Sequence, residues 1–220
     1  MQSNDPVALT VHEVPTPADF KRRGRMTMFL VLLACVAPVI VSYFLYFVVR
    51  PEARSNYATL IQPTLSLPAD LGLTTLEGQP ISGASLKGQW LLMVVAGGAC
   101  DAQCEALLFE QRQLREMTGR EKDRIDRVWL VPDDEPVREP MLKAMQSGTP
   151  GLVARVPRAK LEAWLRPEAG QVLEDHLYLV DPMGEWMMRT PVKPEPQRFR
   201  KDLDRLLKAS AFWDRAGRGN

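Results

Sequence analysis

Two cysteines four residues apart, Cys100 and Cys104, sit in the run VVAGGACDAQCEALLFEQRQL (94–114), where an apolar stretch ends in small residues and a helical pattern begins. Thiols at i and i+4 entering a helix share a face. They are within reach of a disulfide if the first lies in the turn, or of a common metal ion. As a redox pair, Cys100 acts as nucleophile and Cys104 resolves by exchange. As soft thiolates, the two select Cu(I), zinc or iron-sulfur clusters. Two cysteines cannot close a tetrahedral zinc site, so a metal reading needs a third ligand. A local structural disulfide is the plainer alternative. The helix N-terminus favours a thiolate by only about 0.3–1 kcal/mol at exposed sites, and Asp101 and Glu105 act against it.

The sequence has two histidines. His12 falls on the far side of the membrane span described next, which leaves His176, at the start of HLYLVDPMG, as the imidazole that could join the pair. On its own, a histidine at a strand start is ordinarily a surface or hydrogen-bonding residue. Met183, Met187 and Met188 read as packing, although thioethers can ligate Cu(I). Trp90 and Trp186 read as core or rim residues.

Which compartment these groups face follows from residues 26–49, MTMFLVLLACVAPVIVSYFLYFVV, a run without a charged side chain. As a helix it would reach about 36 Å, against a hydrocarbon core of about 30 Å. Pro38 is tolerated in a span, Cys35 is lipid-facing or packed, and Tyr43, Tyr46 and Phe47 suit an interface. Lys21, Arg22, Arg23 and Arg25 precede the run, whereas Arg50 and Arg54 follow with Glu52 between them. The positive-inside rule leaves the N-terminus in the cytoplasm and sends the rest across. A cleaved signal peptide is the rival, but the run is longer than an ordinary apolar signal region and no A-x-A-like site follows cleanly. In a bacterium the outer compartment is the periplasm, where thiol pairs oxidise unless reduced or metallated.

The spacing divides the chain into a disordered cytoplasmic tail (1–25), the span (26–49), a proline-bearing linker (50–70), a folded domain (71–212) and a C-terminal tail (213–220). Within the domain, LTTLEGQPISGASLKGQW reads as an edge hairpin with turns at Gly78 and Gly83, leading to a buried strand over 90–96. A helix follows over 105–117, a strand over 125–131, a helix over 136–148, a strand over 151–156 and a helix over 157–166. A hairpin of 176–181 and 185–190 and a closing helix over 194–212 complete the pattern. That order predicts an α/β thioredoxin-like fold, a central mixed sheet flanked by helices, on one N-terminal transmembrane helix.

The formal charge of +1 gives no electrostatic case for nucleic acid. The sequence contains no GxxxxGK[ST] phosphate loop, HExxH helix or GxSxG elbow, and the GG before Cys100 lacks dinucleotide-binding spacing.

Taken together, the span, LEGQPISGASLKGQWLLMVV before the pair, the CxxxC motif CDAQC, HLYLVDPMGEW and the terminal helix resemble the Sco (SenC) family. Its members are membrane-anchored thioredoxin-like proteins that serve copper delivery to, or thiol maintenance of, the copper centre in cytochrome c oxidase subunit II. The resemblance covers the anchor and residues 70–210. It implies thiolate ligands at Cys100 and Cys104, a histidine ligand at His176 and copper, as Cu(I) or Cu(II), as the metal. It also implies subunit II, or another periplasmic copper or thiol protein, as partner, and the bacterial inner membrane as location. The chain departs from the family pattern at Glu105, where proline usually follows the second cysteine, and at GGAC, where GYTxC is usual. His176 also lies closer to YLVDP than the family's histidine does. A copper-binding assembly factor, a thiol-disulfide oxidoreductase and a thioredoxin-like scaffold without metal or redox chemistry are the three functions to separate.

Overall fold

The computed structural model describes residues 17–49 and 56–214. Of the expected tails over 1–25 and 213–220, residues 1–16, His12 with them, and 215–220 lie outside the described residues, as do residues 50–55 of the expected linker, while 17–25, expected to be disordered, is helical. The chain divides into two compact units, Met1–Arg54 and Ser55–Asn220.

In the first unit, helix α1 (Pro17–Phe44) runs on through a wider turn over Leu45–Val49. Its stretch Gly24–Phe47 has a mean hydropathy of 2.6, long and apolar enough to cross a membrane. The helix begins nine residues before the apolar run because PADFKRRGR contains good helix formers and Pro17 occupies a tolerated first-turn position. Pro38 lies inside it without ending it, and Cys35 is exposed. An exposed apolar surface all round is what a helix solvated by lipid requires.

The second unit is built on one six-stranded sheet. The strands are β1 (Thr59–Ser66), β2 (Trp90–Val95), β3 (Ile125–Val131), β4 (Leu152–Arg155), β5 (Leu177–Val180) and β6 (Glu185–Arg189). Their spatial order is β1-β6-β5-β2-β3-β4. β2, β3 and β4 are parallel, while β5, β6 and β1 add antiparallel. The helices are α2 (Ala102–Met117), α3 (Glu139–Gln146), α4 (Arg158–Leu165) and α5 (Pro196–Ser210). This is the mixed sheet with flanking helices that the element order predicts.

All six residues of β2 are buried, so it reads as a continuous apolar run. Its alternation still sorts two cores. Leu92 and Val94 face a layer with Leu107 and Leu114 of α2 and with Phe199, Leu203 and Leu207 of α5. Leu91, Met93 and Val95 face the opposite layer, with Leu161, Trp164 and Leu165 of α4. The first layer also holds Cys100 and Cys104.

Three expected boundaries are corrected. The linker over 50–70 contains β1, whose Pro63 lacks the N–H of a central strand. At the sheet edge, paired only with β6, that donor is not needed, and the register shifts between Leu60 and Leu65 around it. The expected hairpin after Leu73 is instead an isolated bridge, Thr74 to Pro80, and a 3-10 turn over Gly83–Leu86 capped by Ser82. Its serines and glycines satisfy the backbone locally rather than through a ladder. The C-terminal tail from 213 loses Asp214 to the core. That carboxylate is buried, accepting from Trp90 Nε1 at 2.6 Å and from Arg124 Nη2 at 2.6 Å. Neither partner is near it in sequence, so no local pattern marks it.

Candidate functional site

β2 delivers the chain to a tight loop, Ala96 to Asp101, before α2 begins. Trp129 of β3 donates its indole N–H to the Ala96 carbonyl at 2.9 Å and fixes where the strand stops. The two glycines that follow are required by close approach: a Cβ on Gly97 would strike the Asp133 carboxylate, and one on Gly98 the Glu135 carbonyl. The Asp133 side chain accepts from the Gly98 N–H at 3.1 Å.

Asp101 is the N-cap of α2, its carboxylate accepting from the Cys104 N–H at 2.9 Å. Capping of this kind contributes about 1 kcal/mol. It starts the helix three residues earlier than the apolar periodicity indicates and places Cys104 in the first turn. Cys100 stays in the loop before it. The two are joined as a disulfide with Cα atoms 5.1 Å apart, within the range that bridges require. Cys100 has φ +44°, in the left-handed region, where a side chain costs about 1–2 kcal/mol.

What holds that conformation is a residue distant in sequence. Arg138, just before α3, donates from Nη1 to the Cys100 carbonyl at 2.6 Å and to the Glu105 carboxylate at 2.5 Å. Its backbone N–H bonds the Gly98 carbonyl at 3.1 Å. Glu105, the residue that stands where the resemblance calls for proline, is therefore one end of a clamp across the loop.

A pocket of about 320 Å³ opens at the disulfide, lined by Gly97, Cys100, Asp101, Gln103 and Cys104 on one side and by Val172, Glu174 and Asp175 on the other. The Gln103 amide ties the walls together, donating to the Glu174 carbonyl at 3.1 Å and to Asp175 Oδ1 at 3.0 Å. Hydrogen bonds from the Val172 N–H and from Gln103 hold the Asp175 carboxyl below the usual range. The cysteines themselves are only 2% and 3% exposed, so a reacting partner reaches them through this pocket.

His176 does not join them. It is buried, and strand alternation directs its ring to the face that carries Tyr178, whose ring it meets edge-on at 6.1 Å. The cysteines pack with Leu177 and Leu179 on the other face. The His176 Nδ1 lies 2.6 Å from the Thr190 carbonyl, an acceptor only, so Nδ1 carries the proton and Nε2 is left with an unshared lone pair and no donor. Burial, with Arg189 adding to it, pushes the imidazole pKa down against the pull of the Thr190 carbonyl, Asp175 and Glu168. Among the described residues, no group of three or more His, Cys, Asp and Glu side chains is disposed to hold a metal ion. Of the expected set Cys100, Cys104 and His176, the structure joins the two sulfurs, while the His176 ring is engaged by the Thr190 carbonyl and Tyr178.

Among the methionines, Met188 is buried in the sulfur-bearing layer, Met187 packs against that layer, and Met183 is exposed in a turn. Trp90 and Trp186 are both buried. Arg138, Asp133 and Asp175 escape sequence reasoning because each reaches the site across a long sequence separation, and Gln103, inside the motif, because its partners Glu174 and Asp175 lie far along the chain. Only Asp101 carries a local signal, an N-cap residue before an apolar period.

Among solved structures, a SCO1/SenC family lipoprotein from Bacillus anthracis str. Ames is 20% identical, with a TM-score of 0.52 over 69% of this chain and 99% of that one. Yeast Sco1 with copper bound is 12% identical, with a TM-score of 0.54 over 68% of this chain and 96% of that one. A putative electron transfer protein from Aquifex aeolicus VF5 is 14% identical, with a TM-score of 0.50 over 66% and 96%. At these identities the likeness establishes the fold. No curated protein matches the sequence. Residues 90–210, from the first residue of β2 to the last of α5, match the family described as transmembrane-like, thioredoxin-like, C-terminal domain, and the chain belongs to that family.

Proposed function

We propose that this chain is a membrane-anchored copper and thiol assembly factor, facing the periplasm from a bacterial inner membrane and serving the copper centre of cytochrome c oxidase subunit II. The observation that carries the reading is the Cys100–Cys104 pair closed across the start of α2 at the floor of a pocket. A helix N-terminus, a capped first turn and two sulfurs in bonding range are what a pair needs to alternate between disulfide and dithiol.

In the dithiol form the pair has two uses. Toward a partner's disulfide, the Cys100 thiolate attacks one sulfur and forms a mixed disulfide, releasing the partner's other thiolate. The Cys104 thiolate then attacks the Cys100 sulfur, freeing the second partner thiolate and closing the disulfide. Two electrons pass to the partner, and a dithiol protein of the same compartment returns them. Toward copper, two thiolates suit Cu(I) as cargo, because soft sulfur donors select that ion and two suffice for it in near-linear coordination. The disulfide offers no thiolate, so loading requires reduction first. The fold likeness to yeast Sco1, a protein solved with copper bound, supports this use.

A second reading, thiol-disulfide exchange without metal, is favoured by the position of His176, since exchange makes no demand on an imidazole. The test of function is replacement of both cysteines by serine in the cell that makes the protein, with copper content of oxidase subunit II as the readout. Loss of the copper centre is expected. Normal copper content would leave only a scaffold role.

A further inference from the structure

The helix that closes the fold has a surface that the thiol chemistry does not use. α5 carries five cationic residues, Arg198, Arg200, Lys201, Arg205 and Lys208, against two carboxylates. Asp202 is buried, accepts from the backbone N–H groups of Tyr57 and Ala58, and is met by Arg205 Nη1 at 3.5 Å, so Arg205 reaches the surface as a paired cation. Asp204 is engaged by Arg200 at 3.5 Å. Lys201, Arg205 and Lys208 are exposed and spaced i, i+4, i+7, so they form one stripe, opposite the buried face of Phe199, Leu203 and Leu207.

The stripe ends in aromatic residues. Phe212 is 86% exposed and Trp213 42% exposed, their rings edge to face at 6.5 Å. Phe212 lies in the turn just past the helix, four residues beyond Lys208. Among the described residues of this unit no other large apolar side chain is as exposed as Phe212. The sequence after Asp214, RAGRGN, adds two arginines and no carboxylate side chain.

We propose that this stripe is a lipid-binding surface: Lys201, Arg205 and Lys208 meet anionic headgroups while Phe212 and Trp213 enter the interfacial layer. Aromatic rings favour that layer, and basic side chains near an anionic surface attract it. The chain supplies the bilayer itself. Seven residues, Arg50 to Asn56, separate the end of the apolar helix from Tyr57, whose backbone Asp202 holds, a reach of at most about 25 Å at full extension. A surface held that near a membrane binds lipid at high effective concentration, so weak individual contacts suffice.

The tryptophans make the test specific. Trp90, Trp129, Trp164 and Trp186 are at most 4% exposed, so a lipid-borne contact quencher can reach only Trp213. The full chain is reconstituted in vesicles of brominated phosphatidylcholine, with and without phosphatidylglycerol as the anionic lipid. Emission should be quenched in the anionic brominated vesicles, and Trp213→Phe should remove most of that quenching. The double charge reversal Lys201→Glu, Lys208→Glu should weaken association at least about tenfold, since each basic residue near the surface contributes roughly a fivefold factor. Far-ultraviolet circular dichroism of the variants confirms an intact fold. Equal emission in brominated and unbrominated anionic vesicles would overturn the proposal. So would quenching that the charge reversal leaves unchanged.

Discussion

Replacing Arg138 by alanine removes two bonds that differ in kind. The ion pair with Glu105 joins side chains each 44% exposed and is worth at most about 1 kcal/mol after solvent screening. The bond to the Cys100 carbonyl, at 2.6 Å from a charged donor, belongs to a class worth about 1.5–3 kcal/mol, roughly halved by the same exposure. It also opposes the tendency of Cys100 to leave φ +44°. The backbone bond from Arg138 N–H to Gly98 survives the substitution. Arg138→Ala should therefore cost about 1–2 kcal/mol, or about 3–6 °C in Tm for a unit of this size. Glu105→Ala, which spares the Cys100 contact, should cost well under about 1 kcal/mol. Urea unfolding of the disulfide form, followed by tryptophan emission, gives both values, and the double variant gives their coupling. If the two single variants lose the same stability, the Cys100 carbonyl contact contributes nothing and the account of how the loop is held is wrong.

The remaining expectations follow from the same geometry. Asp214→Ala leaves Arg124, 6% exposed, without its buried partner, and should cost about 3 kcal/mol in urea unfolding; a loss no larger than a surface substitution would show Asp214 to be dispensable. Burial depresses the His176 pKa, so the unfolded chain takes up the proton first. Stability is then complete above the ordinary value of 6.5 and falls as pH drops through it. His176→Asn, which keeps a donor toward Thr190, should flatten that acid limb in unfolding curves between pH 7 and about 5, and an unchanged slope would assign the limb to other groups. Reduction of Cys100–Cys104 with a dithiol reagent opens a loop of sequence separation 4 and should lower the unfolding free energy by about 2 kcal/mol.

The parts of this molecule that follow a period are legible in its sequence. β3 occupies the residues its apolar run marks, and α2, α4 and α5 fall within a few residues of theirs, because burial on one face imposes the spacing directly. The CxxxC pair is legible for a similar reason, being a local motif at a strand-to-helix turn. β1 is not, because an edge strand with a proline owes its existence to β6, far along the chain. Arg138 and Asp214 are invisible for the same reason: each is defined by partners brought near only by folding. His176 is set by partners of the same kind: its Nδ1 faces the Thr190 carbonyl and its ring meets Tyr178, contacts that no local pattern marks.

The central claim, that Cys100 and Cys104 without His176 form the reactive centre, is tested most directly by titrating the reduced full chain with Cu(I) against a competing chelator. The wild type is compared with His176→Ala and with the Cys100→Ser, Cys104→Ser double variant. One Cu(I) per chain, bound equally by the wild type and by His176→Ala and lost in the double variant, is the expected result. Binding that His176→Ala weakens as much as loss of a sulfur would contradict it, because the ring would then have to leave the Thr190 carbonyl to serve the pair.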